Sequence, residues 1–343
     1  MFLMFVRTPE NTLISNCFDN CTHRRPFLFF APGMKMTKAI LLAITEIFGL
    51  FFIGAVARSL RHISDDDVDK WSRFILDYLF PAYIFHSITS GLEVNRLMEL
   101  WPLPLIGLGL VVYGMLTGII LQFGILSSNR EMHRTFIHFC AVNNSVYLPI
   151  IILRNIWGES ILANLFLFNL GTTLGVWTIG VGVLGAGRKQ ALRNIVTPNL
   201  IAIIAALIFS LSGTYQYFPQ VVVRIISSAG SVSVPMMLIL IGASLAKPSV
   251  VKVKWSVLYS TLIRLIVLPL ISIIILNALP ISSDVYNVAV IVSLMPVAAA
   301  SVIMTRRFGG SPDFAASTAL LSTIVSVITI PVALWMIFGH AGK

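Results

Sequence analysis

Ten stretches of this chain are apolar over about the length needed to cross a bilayer, and the connections between them are too short to fold as soluble domains. They run over residues 38–60, 71–90, 101–126, 135–153, 160–184, 197–213, 221–246, 255–278, 285–305 and 313–338. Inside hydrocarbon a backbone must satisfy its own hydrogen bonds, so stretches of this length predict transmembrane helices and an all-α integral membrane protein. Composition agrees. Hydrophobic residues make up 57% of the chain and charged residues 11%, against about 45–50% and about 25% in soluble domains. The net charge of +10 is spread over short loops between apolar runs rather than gathered on one face, which argues against nucleic acid as a partner. The lipid bilayer is the expected surrounding.

Orientation follows from the basic residues, which favour cytoplasmic loops. Fourteen Lys and Arg follow the odd-numbered stretches, among them Arg58, Arg73, Arg134, Lys254 and Arg306, whereas the loops after the even-numbered ones hold only Arg96 and Arg154. Arg7, Arg24, Arg25, Lys35 and Lys38 in the tail pull the other way and are outweighed. Both termini are therefore expected outside. Residues 1–37 read as an N-terminal tail and an over-long start, because Met34-Lys35-Met36-Thr37-Lys38 resembles a natural beginning and Phe27-Leu28-Phe29-Phe30-Ala31 is too short for a secretory signal.

The chain repeats itself. Pro235 in the seventh stretch lies 154 residues after Pro81 in the second, and Pro296 in the ninth lies 147 after Pro149 in the fourth. The predicted organisation is a first five-helix repeat over 38–184, a cytoplasmic linker at 185–196, a second repeat over 197–338 and a short tail at 339–343. Five spans is an odd number, so the second copy is inverted. Inverted repeats with interrupted helices at matching positions point to a secondary transporter with a midplane site. Proline removes an N–H and blocks a carbonyl, and membrane helices tolerate the freed groups where they line a cavity or bind something. A proline can also simply kink a membrane helix.

Ionisable groups within the spans are few, and each is a functional candidate. Glu46, Asp77 and His86 are candidates for ion coupling, though Asp77 also fits an i,i+4 pair with Arg73. Arg264 lies about 15 Å beyond Lys254 along its helix and needs a carboxylate, backbone carbonyls or an anionic substrate as its partner. The fourth stretch carries a polar island, Asn143-Asn144-Ser145, just before Pro149. Asn and Ser supply ligand donors and acceptors without burying charge, or hydrogen-bond between helices. The binding site is expected at Asn143, Asn144, Ser145 and Pro149, with Ser293 and Pro296 from the ninth stretch, where helix N-termini attract a carboxylate. Gly180-x-Gly182-x-x-Gly185 matches a dinucleotide-binding pattern but follows a membrane helix instead of a strand. Gly114-x3-Gly118 and Gly171-x3-Gly175 read as close-packing faces. Cys17, Cys21 and His23 do not fit a zinc spacing. No metal or cofactor is expected, and no enzyme motif is present.

Several of these residues resemble the auxin efflux carrier family, which includes plant PIN-type carriers and bacterial malate or malonate permease-like proteins. The likeness runs from about residue 39 to 338. It rests on Arg73-Phe74 through Pro81 to Phe85-His86, on Val234-Pro235-Met236-Met237-Leu238 with Ile241-Gly242-Ala243-Ser244-Leu245, on Arg264-Leu265 with Pro269, and on Met295-Pro296 with Arg306-Arg307-Phe308-Gly309. The resemblance implies ten helices. Helices 1, 2, 6 and 7 would form a scaffold domain and the rest a transport domain, with helices 4 and 9 broken and crossing at the site. It also implies elevator-type movement of organic anions, driven by an ion gradient or membrane potential, with Asn144 and Pro296 matching family positions. Two departures stand out: Ile151 falls where the family's helix 4 proline lies, and Pro149 where a glycine is usual. The long hydrophilic loop of the long plant carriers is absent, which favours a bacterial cytoplasmic membrane.

The expected function is thus a secondary carrier for a small organic anion such as a mono- or dicarboxylate, with a proton or sodium as coupling ion. A scaffold-mediated homodimer fits the resemblance. Sodium-coupled bile-acid-type carriers share crossing broken helices and are the nearest alternative. A membrane sensor or channel on the same scaffold is another.

Overall fold

The computed structural model describes residues 33–187, 194–246 and 253–338, whose regular secondary structure is helical apart from one isolated β-bridge. Residues 1–32 of the expected tail, with Cys17, Cys21 and His23, and residues 188–193 of the linker lie outside the described residues; residues 33–37 of that tail belong to the first helix instead. In chain order the helices are α1 (Gly33–Ser59), α2 (Asp65–Phe74), α3 (Phe80–Gly91), α4 (Leu97–Leu100), α5 (Pro102–Leu121), α6 (Arg130–Ala141), α7 (Tyr147–Trp157), α8 (Ile161–Gly175) and α9 (Val181–Leu184). They continue with α10 (Pro198–Leu211), α11 (Gln220–Ser231), α12 (Ser233–Leu245), α13 (Trp255–Leu262), α14 (Leu268–Ala278), α15 (Ser283–Ser293), α16 (Ala300–Phe308) and α17 (Pro312–Phe338).

Among the described residues six helical segments are long and apolar enough to span a membrane, against the ten stretches expected: Thr37–Ser59, Val94–Gly124, Ile161–Leu184, Gln220–Leu245, Trp255–Ala278 and Pro312–Phe338. The other four stretches fall short for separate physical reasons. The fourth and ninth are cut in two, leaving α7 and α15 with 11 residues each. α10 has 14 residues, about 21 Å at 1.5 Å per residue against a hydrocarbon core of about 30 Å. The second stretch begins with the polar α2, whose Ser64 and Asp67 form a capping box over three first-turn acids.

Three π-helical turns, Ile75–Leu79, Val176–Gly180 and Ile263–Val267, interrupt otherwise continuous helices. Two of them directly precede a proline, Pro81 and Pro269. Proline cannot donate to the carbonyl four residues back, and a wider turn absorbs the mismatch without breaking the helix. The same turn removes one of the two readings of Asp77, the i,i+4 pair with Arg73. A π turn carries more residues than an α turn, so Asp77 no longer stacks over Arg73; it is exposed, and no ion pair joins the two.

α1 packs along α12, α5 along α8, α3 against α10 and α11, and α13 against α17. Glycine sets the closest approaches, as expected for the 114–118 and 171–175 faces. A methyl on Gly114 would collide with the Cys140 carbonyl, and one on Gly171 with the Pro104 carbonyl. α7 and α8 are buried on nearly all sides, with Ile150, Ile151, Ile152 and Leu153 fully covered, the mark of an interior helix. Phe52, Ile274 and Ile328 stand exposed on outer helices, where a membrane protein meets lipid.

Candidate functional site

The site is built where two helices stop and restart. α6 ends at Ala141 and α7 begins at Tyr147; between them Val142, Asn143, Asn144 and Ser145 are non-helical. Asn and Ser side chains compete for backbone partners and so favour helix ends. Here the Asn144 Oδ1 accepts from the Tyr147 N–H at 3.2 Å, the first N–H of α7. Pro149 falls in the first turn of α7, where its missing N–H would have had no helical partner anyway. It therefore follows the break instead of causing it. On the facing segment α15 ends at Ser293, whose Oγ donates to the Val290 carbonyl at 2.7 Å. Pro296 holds Met295 out of helical geometry until α16 starts at Ala300.

The two gaps touch through main chain. Asn143 and Val297 form an antiparallel bridge, and the Asn144 N–H donates to the Pro296 carbonyl at 2.9 Å. The Asn143 Nδ2 donates to the Val292 carbonyl at 2.5 Å, and the Val297 N–H to the Ser322 Oγ of α17 at 3.3 Å. Two helix C-termini, of α6 and α15, and two N-termini, of α7 and α16, thus flank one contact. The two gaps so bring the segment of Asn143, Asn144 and Ser145 against that of Ser293 and Pro296. Among the described residues the Asn144 Nδ2 and the Ser145 Oγ have no partner, leaving two donors beside the α7 N-terminus.

Arg264 answers the C-terminal ends. It is 5% exposed and donates from Nε to the Met295 carbonyl at 3.0 Å, from Nη2 to the Ser293 carbonyl at 2.9 Å and from Nη1 to the Cys140 carbonyl at 3.3 Å. Of the partners open to it from sequence, backbone carbonyls are the ones it takes. Cationic donors at helix C-termini oppose the dipole and satisfy orphan carbonyls. A space of about 20 Å³ lies beside it, lined in part by Asn143, Thr172, Ser272 and Ser293. That holds about one water and no carboxylate in this conformation.

Glu46 is not free: it pairs with Arg154 of α7 at 2.5 Å and accepts from the Asn155 Nδ2 at 3.0 Å, tying α1 to α7. Arg96 likewise pairs with Asp284 at 2.8 Å, so both basic exceptions to the loop asymmetry are neutralised. His86 lines a larger cavity of about 350 Å³ with Tyr83, Ser87, Arg154, Glu159 and Ser231, between α3, the end of α7 and α11. Asp77 lies apart from both places.

Sequence reasoning passed over this cavity, although Tyr83, Ser87 and Ser90 recur at helical spacing, as do Ser227 and Ser231. His138, one of the ionisable residues towards the span ends that the sequence offers as a candidate, is fully buried. Its Nδ1 donates to the Gly180 carbonyl at 2.9 Å, since a carbonyl only accepts, and in the neutral ring Nε2 accepts from the Ser301 hydroxyl at 3.1 Å. The histidine so fastens α6 to the second π turn and to α16. Gly180, which looked like part of a nucleotide motif, serves as that acceptor.

A helical chain whose membrane-length segments surround two broken, crossing helices, with a buried cation and free donors at the crossing, has the form of a membrane transporter. Comparison with known proteins gives the same class. The membrane transport protein family matches twice, over residues 39–190 and again over 182–334. The chain belongs to this family, the auxin efflux carrier family. It is 23% identical over 303 residues to an uncharacterized transporter of Methanothermobacter thermautotrophicus, covering 86% of this chain and 96% of that one. It is also 23% identical over 294 residues to an uncharacterized transporter of Methanocaldococcus jannaschii, covering 83% and 94%.

Proposed function

We propose that the protein is a secondary carrier for a small organic anion, a mono- or dicarboxylate, that binds at the crossing and moves by an elevator-type alternation. The observation that carries this proposal is the crossing itself. The α7 N-terminus presents positive dipole and free side-chain donors from Asn144 and Ser145 beside the Pro296 segment, where Arg264 holds a positive charge that meets backbone carbonyls and, among the described residues, no carboxylate. A carboxylate suits such a place better than a cation or a neutral solute. Asn143, Asn144, Ser145, Pro149, Ser293 and Pro296 form the binding region in this proposal. Arg264 is its charge partner and His86 the coupling candidate nearest the larger cavity. Glu46, held by Arg154, and the exposed Asp77 are weaker coupling candidates.

The architecture that goes with it is ten spans in two inverted five-helix repeats, 38–184 and 197–338, each with one broken helix. A scaffold would comprise helices 1, 2, 6 and 7, the unit through which two copies would pair. Both termini face outside a bacterial cytoplasmic membrane, as the basic loops favour. Counterflow in proteoliposomes tests the proposal. Internal unlabelled malate, malonate or an auxin-like acid should accelerate entry of the same labelled anion. A channel or sensor gives no such acceleration, and its absence across the anion panel, in folded protein, refutes the carrier.

A further inference from the structure

We infer that Arg264 is a tethered cation filling the carbonyl cage at the crossing, so that this cage takes no sodium ion. Unwound backbone carbonyls and half-helix C-terminal ends are the groups with which sodium-coupled carriers hold their ion. Here three such oxygens, of Cys140, Ser293 and Met295, converge from two different broken helices, and each accepts from a separate guanidinium nitrogen. Among the described residues no carboxylate pairs with Arg264, so the helix ends themselves balance its charge. A guanidinium does not lose its proton in proteins, which makes the occupancy permanent. A sodium ion would have to compete for the same oxygens against a like charge already bonded to them.

The filled cage stands on geometry alone; its consequence, a carrier not coupled to sodium at the crossing, rests on the proposed carrier function. It separates this chain from a sodium-coupled bile-acid-type mechanism. It also supplies by covalent attachment the positive charge that a bound ion would otherwise bring to an anionic substrate.

Thermal unfolding of the purified full-length protein tests this without any substrate. The wild type should show the same Tm in sodium, potassium and choline chloride at equal ionic strength. Arg264→Ala should melt several degrees lower. Low-millimolar guanidinium should restore it progressively, as expected for a ligand bound only by the folded state, whereas equal urea should not. Arg306→Ala, which removes an exposed arginine, should show no such rescue. If Arg264→Ala yields no folded protein, Arg264→Lys replaces it and should melt below wild type with no response to sodium. A sodium-specific rise in the wild-type Tm overturns the inference, as does an Arg264→Ala protein that melts like wild type. Neither result bears on counterflow, so the carrier proposal stands or falls separately.

Discussion

Two substitutions at Asn144 should order stability and transport in opposite ways. The Asn144 Oδ1 accepts from the Tyr147 N–H, the first of α7. Asn144→Asp keeps that acceptor and places a negative charge at a helix N-terminus, a gain of about 0.3–1 kcal/mol. Asn144→Ala deletes that hydrogen bond at a cost of about 1 kcal/mol. Transport should respond the other way. A carboxylate held by the Asn144 Nδ2 would lie about 3 Å from it, so in the Asp variant the two charges would be about 4 Å apart. Their repulsion is about 4 kcal/mol at an effective dielectric of about 20. Even halved by the neighbouring Arg264, this leaves about a thirtyfold loss of affinity at 1.4 kcal/mol per tenfold. Unfolding and proteoliposome counterflow on the same preparations should rank stability as Asp, then wild type, then Ala, and transport as wild type, then Ala, then Asp. An Asp variant that carries the anion at the wild-type rate would refute an anion site at Asn144.

Further expectations concern the frame around the site. Gly114→Ala should destabilise by about 1–3 kcal/mol because its methyl meets the Cys140 carbonyl, whereas Gly109→Ala, with open space around it, should gain up to about 1 kcal/mol; paired Tm values decide. Glu46→Gln breaks a half-exposed ion pair and should cost no more than about 1 kcal/mol, yet change the initial transport rate if α1 and α7 must part during the cycle. Two hydrogen bonds from Ser64 hold the Asp67 carboxyl below the usual carboxylate range. The α2 cap is therefore complete above the ordinary carboxylate pKa and lost as pH falls through the lowered one. Amide exchange at the start of α2 should rise over that acidic window in wild type and already be fast at neutral pH in Ser64→Ala.

Much of this site could be read from letters because its side chains break helices. Asn143, Asn144, Ser145 and Pro296 are poor interior helix residues, and the chain departs from helix where they cluster. Pro149 misled only in detail, since a proline in a first turn and one that breaks a helix look alike in sequence. The partner of Arg264 could not be read: carbonyls belong to every residue, and nothing in Cys140, Ser293 or Met295 marks theirs as free. Pro81 and Pro269 were legible as disturbances, but not as π turns, which depend on how the neighbouring helices let the backbone swell. The Glu46–Arg154 pair joins residues 108 apart in sequence, beyond the reach of any local pattern.

The crossing is held in part by amide-to-carbonyl contacts, Asn144 to Pro296 and Asn143 with Val297. Substitution of Asn144 or Val297 leaves those main-chain bonds to re-form, whereas the bonds from Asn143, Ser322 and Arg264 go with their side chains. That part of the frame is thereby insulated from mutational drift while the groups facing a solute remain free to vary. A chain built this way could take up a new solute by exchanging a few polar residues around an inherited knot of backbone.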